Sequence, residues 1–226
     1  MAARKELSDV AGRIALIRAA QGLSRSGLSP QVSGNLSIRM GDGFLITPSG
    51  VAFTGLKPAD LAWVSLDGVT SPGPRPSSEW PMHRAIYAKR ADALAIVHTH
   101  SIHATALACA QREIPAFHYM VGVTGVDKVP VARYATFGTE ALARNVADAL
   151  GSGYASLIAN HGLIVCGRTL AHACRLAAEV ETLAQQYILT LQAGVPRLLD
   201  RAEMARVIAK FADYGPDMDA MPEAAE

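Results

Sequence analysis

The stretch Leu94-Ala95-Ile96-Val97-His98-Thr99-His100-Ser101 decides how this chain is read. The run from Ala93 to Val97 is apolar and contains β-branched residues, which predicts a buried strand ending in two histidines. Side chains at i and i+2 of a strand share a face, so His98 and His100 are expected to project together from the strand end. Two neutral imidazoles so placed are two of the three protein ligands of a catalytic zinc site that keeps its fourth position open. Taken alone, the plainer reading is a pair of partly buried, hydrogen-bonded histidines. The other ligands decide between the two.

The chain has 226 residues, 50% of them hydrophobic, enough for a substantial core in one domain spanning 1–226. Formal net charge is +1, from 21 Lys+Arg against 20 Asp+Glu, and the basic residues are scattered. No nucleic-acid partner is expected. Cys109, Cys166 and Cys174 are odd in number and form no C-x-x-C, and the first residues lack an apolar core segment, which together suit a reduced cytoplasmic setting. No apolar run approaches the roughly 18 residues that span a bilayer, so no membrane association is expected.

Working outward, Val10, Ile14, Ile17 and Leu23 predict an amphipathic helix from Glu6 to about Leu23, ended near Gly27. Ser33-Gly34-Asn35-Leu36-Ser37-Ile38-Arg39 is a small-residue turn feeding an alternating strand. Gly41-Asp42-Gly43 reads as a hairpin, and Phe44-Leu45-Ile46 as the returning strand, stopped by Thr47-Pro48-Ser49-Gly50. Ala62 to Leu66 predicts a third strand. The Pro/Gly/Ser-rich loop 71–78 delivers Glu79 to a helix reaching Arg90, with Ser78 as N-cap and Pro81 in the first turn. Helix N-termini with nearby hydroxyls bind anions, and simple capping is the plainer role of Ser77 and Ser78. Ser101 to Ala110 predicts a short helix, on which His103 packs or supports a neighbour. Residues 114–137 alternate strand-like pieces with turns, and Gly138 to Leu150 is helical. Tyr154 to Asn160 reads as a strand running into His161-Gly162, the third-ligand candidate, before the strand Leu163 to Cys166. Thr169 to about Leu191 is a long helix, with His172 near its start a surface or packing group, and Arg201 to Phe211 a last amphipathic one.

Ser33-Gly34-Asn35-Leu36-Ser37, Thr47-Pro48-Ser49-Gly50, Ser77-Ser78-Glu79, His98-Thr99-His100 and Asn160-His161-Gly162-Leu163 together resemble the class II aldolase/adducin family. The resemblance covers nearly the whole chain and includes His118-Tyr119-Met120, Tyr134-Ala135-Thr136-Phe137-Gly138 and Phe211-Ala212-Asp213-Tyr214-Gly215. Within the family it is greatest to the aldolases of L-fuculose 1-phosphate. It implies a single three-layer α/β/α domain around a mostly antiparallel mixed sheet. It also implies a fourfold-symmetric homotetramer with active sites between subunits. One zinc ion per subunit would be held by His98, His100, His161 and Glu79, and a substrate phosphate by Asn35, Ser49, Gly50, Ser77 and Ser78. Ser49 stands where those aldolases commonly have Thr, and the hydroxyl is kept. Tyr119 matches a tyrosine that crosses the subunit boundary. Phe137 is expected to take part in specificity, and Phe211 and Tyr214 belong to a C-terminal helix and tail, 201–226, that closes near the site.

The implied reaction is retro-aldol cleavage of a ketose 1-phosphate to dihydroxyacetone phosphate and an aldehyde. Zinc on three neutral imidazoles keeps its positive charge and can stabilise the enediolate. Glu79 would cap the resting metal and then act as general base or acid, while Tyr119 serves the aldehyde oxygen. On the residues alone a Schiff-base lysine at Lys57, Lys89 or Lys128 stays open. A sugar-phosphate 4-epimerase of the same fold is the nearest alternative; such relatives carry Ser-Ser-Asp where this chain has Ser77-Ser78-Glu79, which favours cleavage. Decarboxylase and dehydratase relatives also exist. The metal-free adducin head, an interaction module, lacks the histidines kept here. L-Fuculose 1-phosphate is the default substrate, and 5-deoxyribulose or 5-methylthioribulose 1-phosphate would use the same zinc and phosphate groups.

Overall fold

Seven short apolar runs pair into one sheet: β1 (Asn35–Met40), β2 (Gly43–Ile46), β3 (Ala62–Ser65), β4 (Ala95–Thr99), β5 (Val131–Ala132), β6 (Ala155–Ile158) and β7 (Gly162–Gly167). The structure, a computed structural model, describes residues 9–30 and 32–212. Strand order is β3-β2-β1-β4-β7-β6-β5, which puts β4 at the centre. Every pair is antiparallel except β5 with β6. Among the described residues six α-helices accompany the sheet: α1 (Asp9–Arg25), α2 (Trp80–Lys89), α3 (Ile102–Cys109), α4 (Glu140–Leu150), α5 (Leu170–Ala193) and α6 (Arg201–Ala212).

Alternation along the strands divides the interior in two. Leu36, Ile38, Val97, Leu163 and Val165 face one way and pack with residues of α1, α3 and α5. Phe44, Ile46, Ile96, Ile164 and Cys166 face the other way and pack with α2 and α4. Each such side chain contributes about 1.5–3 kcal/mol when fully buried. The result is the mixed, mostly antiparallel α/β/α sandwich that the sequence predicts.

Several boundaries differ from expectation, and that of α2 bears on the site. The N-cap of α2 is Glu79, not Ser78, and its side chain makes no capping bond. Ser77 closes that turn instead, its carbonyl accepting from Trp80 N at 3.1 Å, so the Glu79 carboxylate is left to turn toward the histidines. β4 ends with His98 and Thr99, which pair with Ile164 and Leu163 of β7, and stops one residue short of His100. Within 114–137 only Val131–Ala132 joins the sheet, and Tyr119–Thr124 is a 3-10 helix. α1 continues to Arg25, two residues beyond the predicted end, and its expected start at Glu6 lies outside the described residues.

Two glycines let neighbouring chain segments close on the end of β4. A Cβ on Gly34 would lie 2.5 Å from the His98 carbonyl oxygen, and one on Gly162 would lie 2.5 Å from that of Thr99. Gly34 also has φ +86°, a left-handed value costly for any other residue. Gly34→Ala is therefore expected to destabilise the fold by at least about 2 kcal/mol. A denaturant midpoint within error of the unchanged protein would contradict the close approach.

Candidate active site

Glu79, His98, His100 and His161 converge from three parts of the chain. His98 is cross-strand partner to Asn35 of β1 and Ile164 of β7. His100 follows one residue beyond β4. His161 stands in the turn Ala159-Asn160-His161 between β6 and β7, where Asn160 takes φ +55°, a value asparagine tolerates. One ligand atom from each of the four lies within 4.8 Å of the others.

His98 is fully buried, and its Nδ1 lies 2.8 Å from the Leu163 carbonyl. A carbonyl only accepts, so Nδ1 carries a proton and directs Nε2 into the cluster. That Nε2 is 3.0 Å from His100 Nε2 and 3.2 Å from Glu79 Oε2. His161 Nε2 is 3.2 Å from Glu79 Oε1, an oxygen that is buried yet makes no hydrogen bond. Burial pushes the Glu79 carboxyl up, but the charge of His98 and the contacts with His161 and His98 outweigh it and hold the group far below the usual carboxylate range. Burial pulls His98 down, and the Glu79 charge and hydrogen bond more than reverse this. His100 is pushed down to about 4, by burial first and then by His98 and His161. Four donor atoms thus face one another around a buried carboxylate. Three imidazoles and a carboxylate without thiolate form a donor set that fits a divalent metal.

The cluster opens into a cleft of about 340 Å³, whose lining includes Asn35, Ser49, Gly50, Ser77, Ser78, Glu79, His100, Phe137 and His161. Asn35 Nδ2 donates to Glu79 Oε2 at 3.0 Å. Ser49 Oγ accepts from Ser78 N at 2.8 Å, and Ser77 Oγ from Glu79 N at 3.3 Å. Each hydroxyl therefore keeps its own proton to donate, and both lie at the positive end of α2. This is a fitting seat for an anion beside the histidine cluster.

Not every expected residue meets there. Tyr119 is 51% exposed and stacks on Phe211 of α6, ring centroids 6.3 Å apart and planes within 8°; neither lines the cleft of its own chain. Tyr214 lies outside the described residues, as does the tail from 213. The cleft is also lined by Val32, Tyr134, Ala135 and Asn160, which the sequence reading did not assign to the site. Their signals were present: Tyr134 opens the stretch that ends at Phe137-Gly138, and Asn160 precedes His161. The three lysines are exposed and none lines the cleft: Lys57 caps the turn Pro58–Asp60, Lys89 pairs with Asp148 and Lys128 with Glu113. No helix among the described residues is long and apolar enough to cross a membrane.

Strand order, helix layers and an imidazole-carboxylate cluster opening into a cleft are what the resemblance to the class II aldolase/adducin family implies. The Class II Aldolase and Adducin N-terminal domain family matches residues 14–188, and the chain belongs to that family. It is 47% identical over 208 residues to the 5-methylthioribulose-1-phosphate/5-deoxyribulose-1-phosphate aldolase of Rhodospirillum rubrum, covering 92% of this chain and 94% of that protein. It is 44% identical to the L-fuculose phosphate aldolase of Escherichia coli K12, covering 85% and 90% respectively. A solved L-fuculose 1-phosphate aldolase superposes with TM-score 0.88 at 37% identity, covering 93% of this chain and all (100%) of that one.

Beside His100, the start of α3 is held by Glu181 of α5. Its carboxylate accepts from His103 N, His103 Nδ1 and Ala104 N at 2.8–2.9 Å. Burial raises this carboxyl, but the backbone bonds from His103 and Ala104, with those from Ser101 and His103 side chains, bring it below its usual 4.5. A depressed carboxyl contributes stability above its unfolded value and loses it as pH falls through the folded one. The melting-temperature gap between the unchanged protein and Glu181→Gln is expected to be widest near neutral pH and to close below about pH 4.5. A gap constant from neutral pH to about pH 3 would show that ionisation of Glu181 is not the cause.

Proposed function

We propose that this chain is a zinc-dependent aldehyde-lyase that splits a ketose 1-phosphate into dihydroxyacetone phosphate and an aldehyde. The observation that carries the reading is the buried Glu79, ionised among three imidazoles at the edge of a cleft whose other end offers serine hydroxyls. Names of relatives at 47% and 44% identity support it, and they point to 5-methylthioribulose, 5-deoxyribulose or L-fuculose 1-phosphate as substrate. Glutamate at 79 favours cleavage over epimerisation.

Zinc held by His98, His100, His161 and Glu79 would supply fixed positive charge for the oxygens that gain negative charge as the carbon–carbon bond breaks. The protein's own groups do the rest. Ser49, Ser77 and Ser78 hydroxyls, the Gly50 backbone and the Asn35 amide hold the phosphate and so fix the three-carbon end of the substrate. Glu79 exchanges a proton with the carbon of that fragment, and Tyr119 exchanges one with the aldehyde oxygen. Because Tyr119 and Phe211 lie outside their own chain's cleft, we assign them to a neighbour's site in a homotetramer, with Tyr214 and the C-terminal tail of the single domain closing over it. Phe137, on the cleft rim, would touch the aldehyde portion.

Purified protein should contain one zinc ion per chain, and a coupled assay should detect dihydroxyacetone phosphate from at least one of the three ketose 1-phosphates, with loss on chelation and recovery on zinc addition. Active protein free of divalent metal would sink the reading.

The two proton carriers should fail differently. In Glu79→Gln, exchange of solvent deuterium into dihydroxyacetone phosphate is expected to fall on the order of 10² to 10⁴ fold. Tyr119→Phe should leave that exchange nearly normal and slow cleavage of the full substrate. Mixed tetramers of the two variants should regain some cleavage, because certain interfaces then hold an intact Glu79 and an intact Tyr119. Loss of exchange in Tyr119→Phe equal to that in Glu79→Gln would remove the division of roles.

A further inference from the structure

Behind Glu79 runs a buried polar ladder between α2 and β1. The residues Glu79, His83 and Tyr87 recur every fourth position and face β1, while Asn35 and Ser37 recur every second position and face α2. His83, Asn35 and Ser37 are 0%, 3% and 0% exposed, and Tyr87 is 2%. Tyr87 OH lies 2.8 Å from Ser37 Oγ, Ser37 Oγ lies 2.6 Å from His83 Nδ1, and His83 Nε2 lies 2.6 Å from Asn35 Oδ1. Asn35 Nδ2 then meets Glu79 Oε2 at 3.0 Å.

With His83 neutral, its burial pushing the imidazole down to about 3, only one arrangement of protons satisfies every link. The Glu79 carboxylate accepts, so Asn35 turns its NH2 to it and its oxygen to His83. That oxygen requires a proton on His83 Nε2, which leaves Nδ1 to accept from Ser37, which in turn accepts from Tyr87. Each group donates toward Glu79. Arg39, whose guanidinium lies 4.7 Å over the Tyr87 ring and donates to the Tyr87, Arg90 and Ala93 carbonyls, ties the far end of the ladder down.

We infer that His83 is a positioning residue for this site: as the Nε2–H tautomer, set by Ser37 and Tyr87, it holds the Asn35 carboxamide so that only N–H groups face Glu79 and the anion end of the cleft. The inference rests on the phosphate role assigned to Asn35 above. Without His83 the amide can turn over, bringing a carbonyl oxygen against a carboxylate and an incoming phosphate.

Two measurements test it on the zinc-loaded protein. Ring-15N histidine NMR of the unchanged protein should find His83 neutral and protonated on Nε2 between about pH 6 and 9. Calorimetry with inorganic phosphate should show binding weakened on the order of tenfold in both Asn35→Ala and His83→Phe. His83→Gln, which keeps a donor near the Nε2 position, should stay within about threefold of the unchanged protein. The His83→Phe/Asn35→Ala double variant should be no weaker than Asn35→Ala alone, since both changes act through one amide. Protonation of His83 on Nδ1 overturns the inference, and so does full phosphate affinity in His83→Phe while Asn35→Ala is weakened. If Asn35→Ala itself binds phosphate normally, Asn35 has no phosphate role and the inference falls with it; where a variant does not fold, the tautomer still decides the ladder.

Discussion

A single carboxylate, kept ionised at 8% exposure, is the constraint around which this molecule is arranged. Withdrawing such a charge from water costs several kcal/mol unless partners replace the lost hydration. For Glu79 the partners come from separate elements: Asn35 from β1, His98 from β4, His161 from the β6–β7 turn. They meet only because β1, β4 and β7 are neighbours in the sheet, with Asn35, His98 and Ile164 abreast. Gly34 and Gly162 permit that approach from both sides of β4. The fold therefore brings together the counter-groups of one anion, and the chemical use of the site follows from which of them a cation can share.

The two faces of the sheet take different parts in this. On the side of α1, α3 and α5 the strand residues Leu36, Ile38, Val97 and Val165 form an apolar core that supplies stability. On the side of α2, the same strands supply Asn35, Ser37 and His98. A one-residue slip of β1 would exchange Leu36 for Asn35 across the sheet and destroy both arrangements at once. The hydrophobic core thus also sets the register of the polar ladder.

Much of this was legible in the sequence, and the reason is local. His98 and His100 are read from an apolar run and a two-residue spacing, and His161 from a strand end beside a glycine. Ser77 and Ser78 left a choice between capping and anion binding. The structure shows that the first does not exclude the second, since Ser77 Oγ accepts from Glu79 N and still has a proton to give. The N-cap of α2 was misplaced by one residue because the decisive bonds, Ser78 N to Ser49 Oγ and Ser77 N to Thr47 O, link distant segments. His83 went unnoticed for the same reason: its partners Asn35 and Ser37 lie 48 and 46 residues away. A spacing of four from Glu79 and four more to Tyr87 along one helix face was the only sign available.

The residues that hold metal and phosphate in the proposed reaction belong to strand ends, a helix terminus and a tight turn, where backbone bonds and packing leave little freedom. The side chains that the proposed reaction would leave near the aldehyde are of another kind. Tyr134 and Phe137 are exposed on a loop, and Tyr119 stands on a short 3-10 segment braced by Phe211. Relatives named for L-fuculose phosphate and for 5-methylthioribulose 1-phosphate differ in the fragment that would reach those aromatics and share the fragment that would reach the rigid site. A scaffold that fixes the shared chemistry in the sheet and leaves the variable contact to loops can change substrate without disturbing Glu79 or the groups that keep it charged.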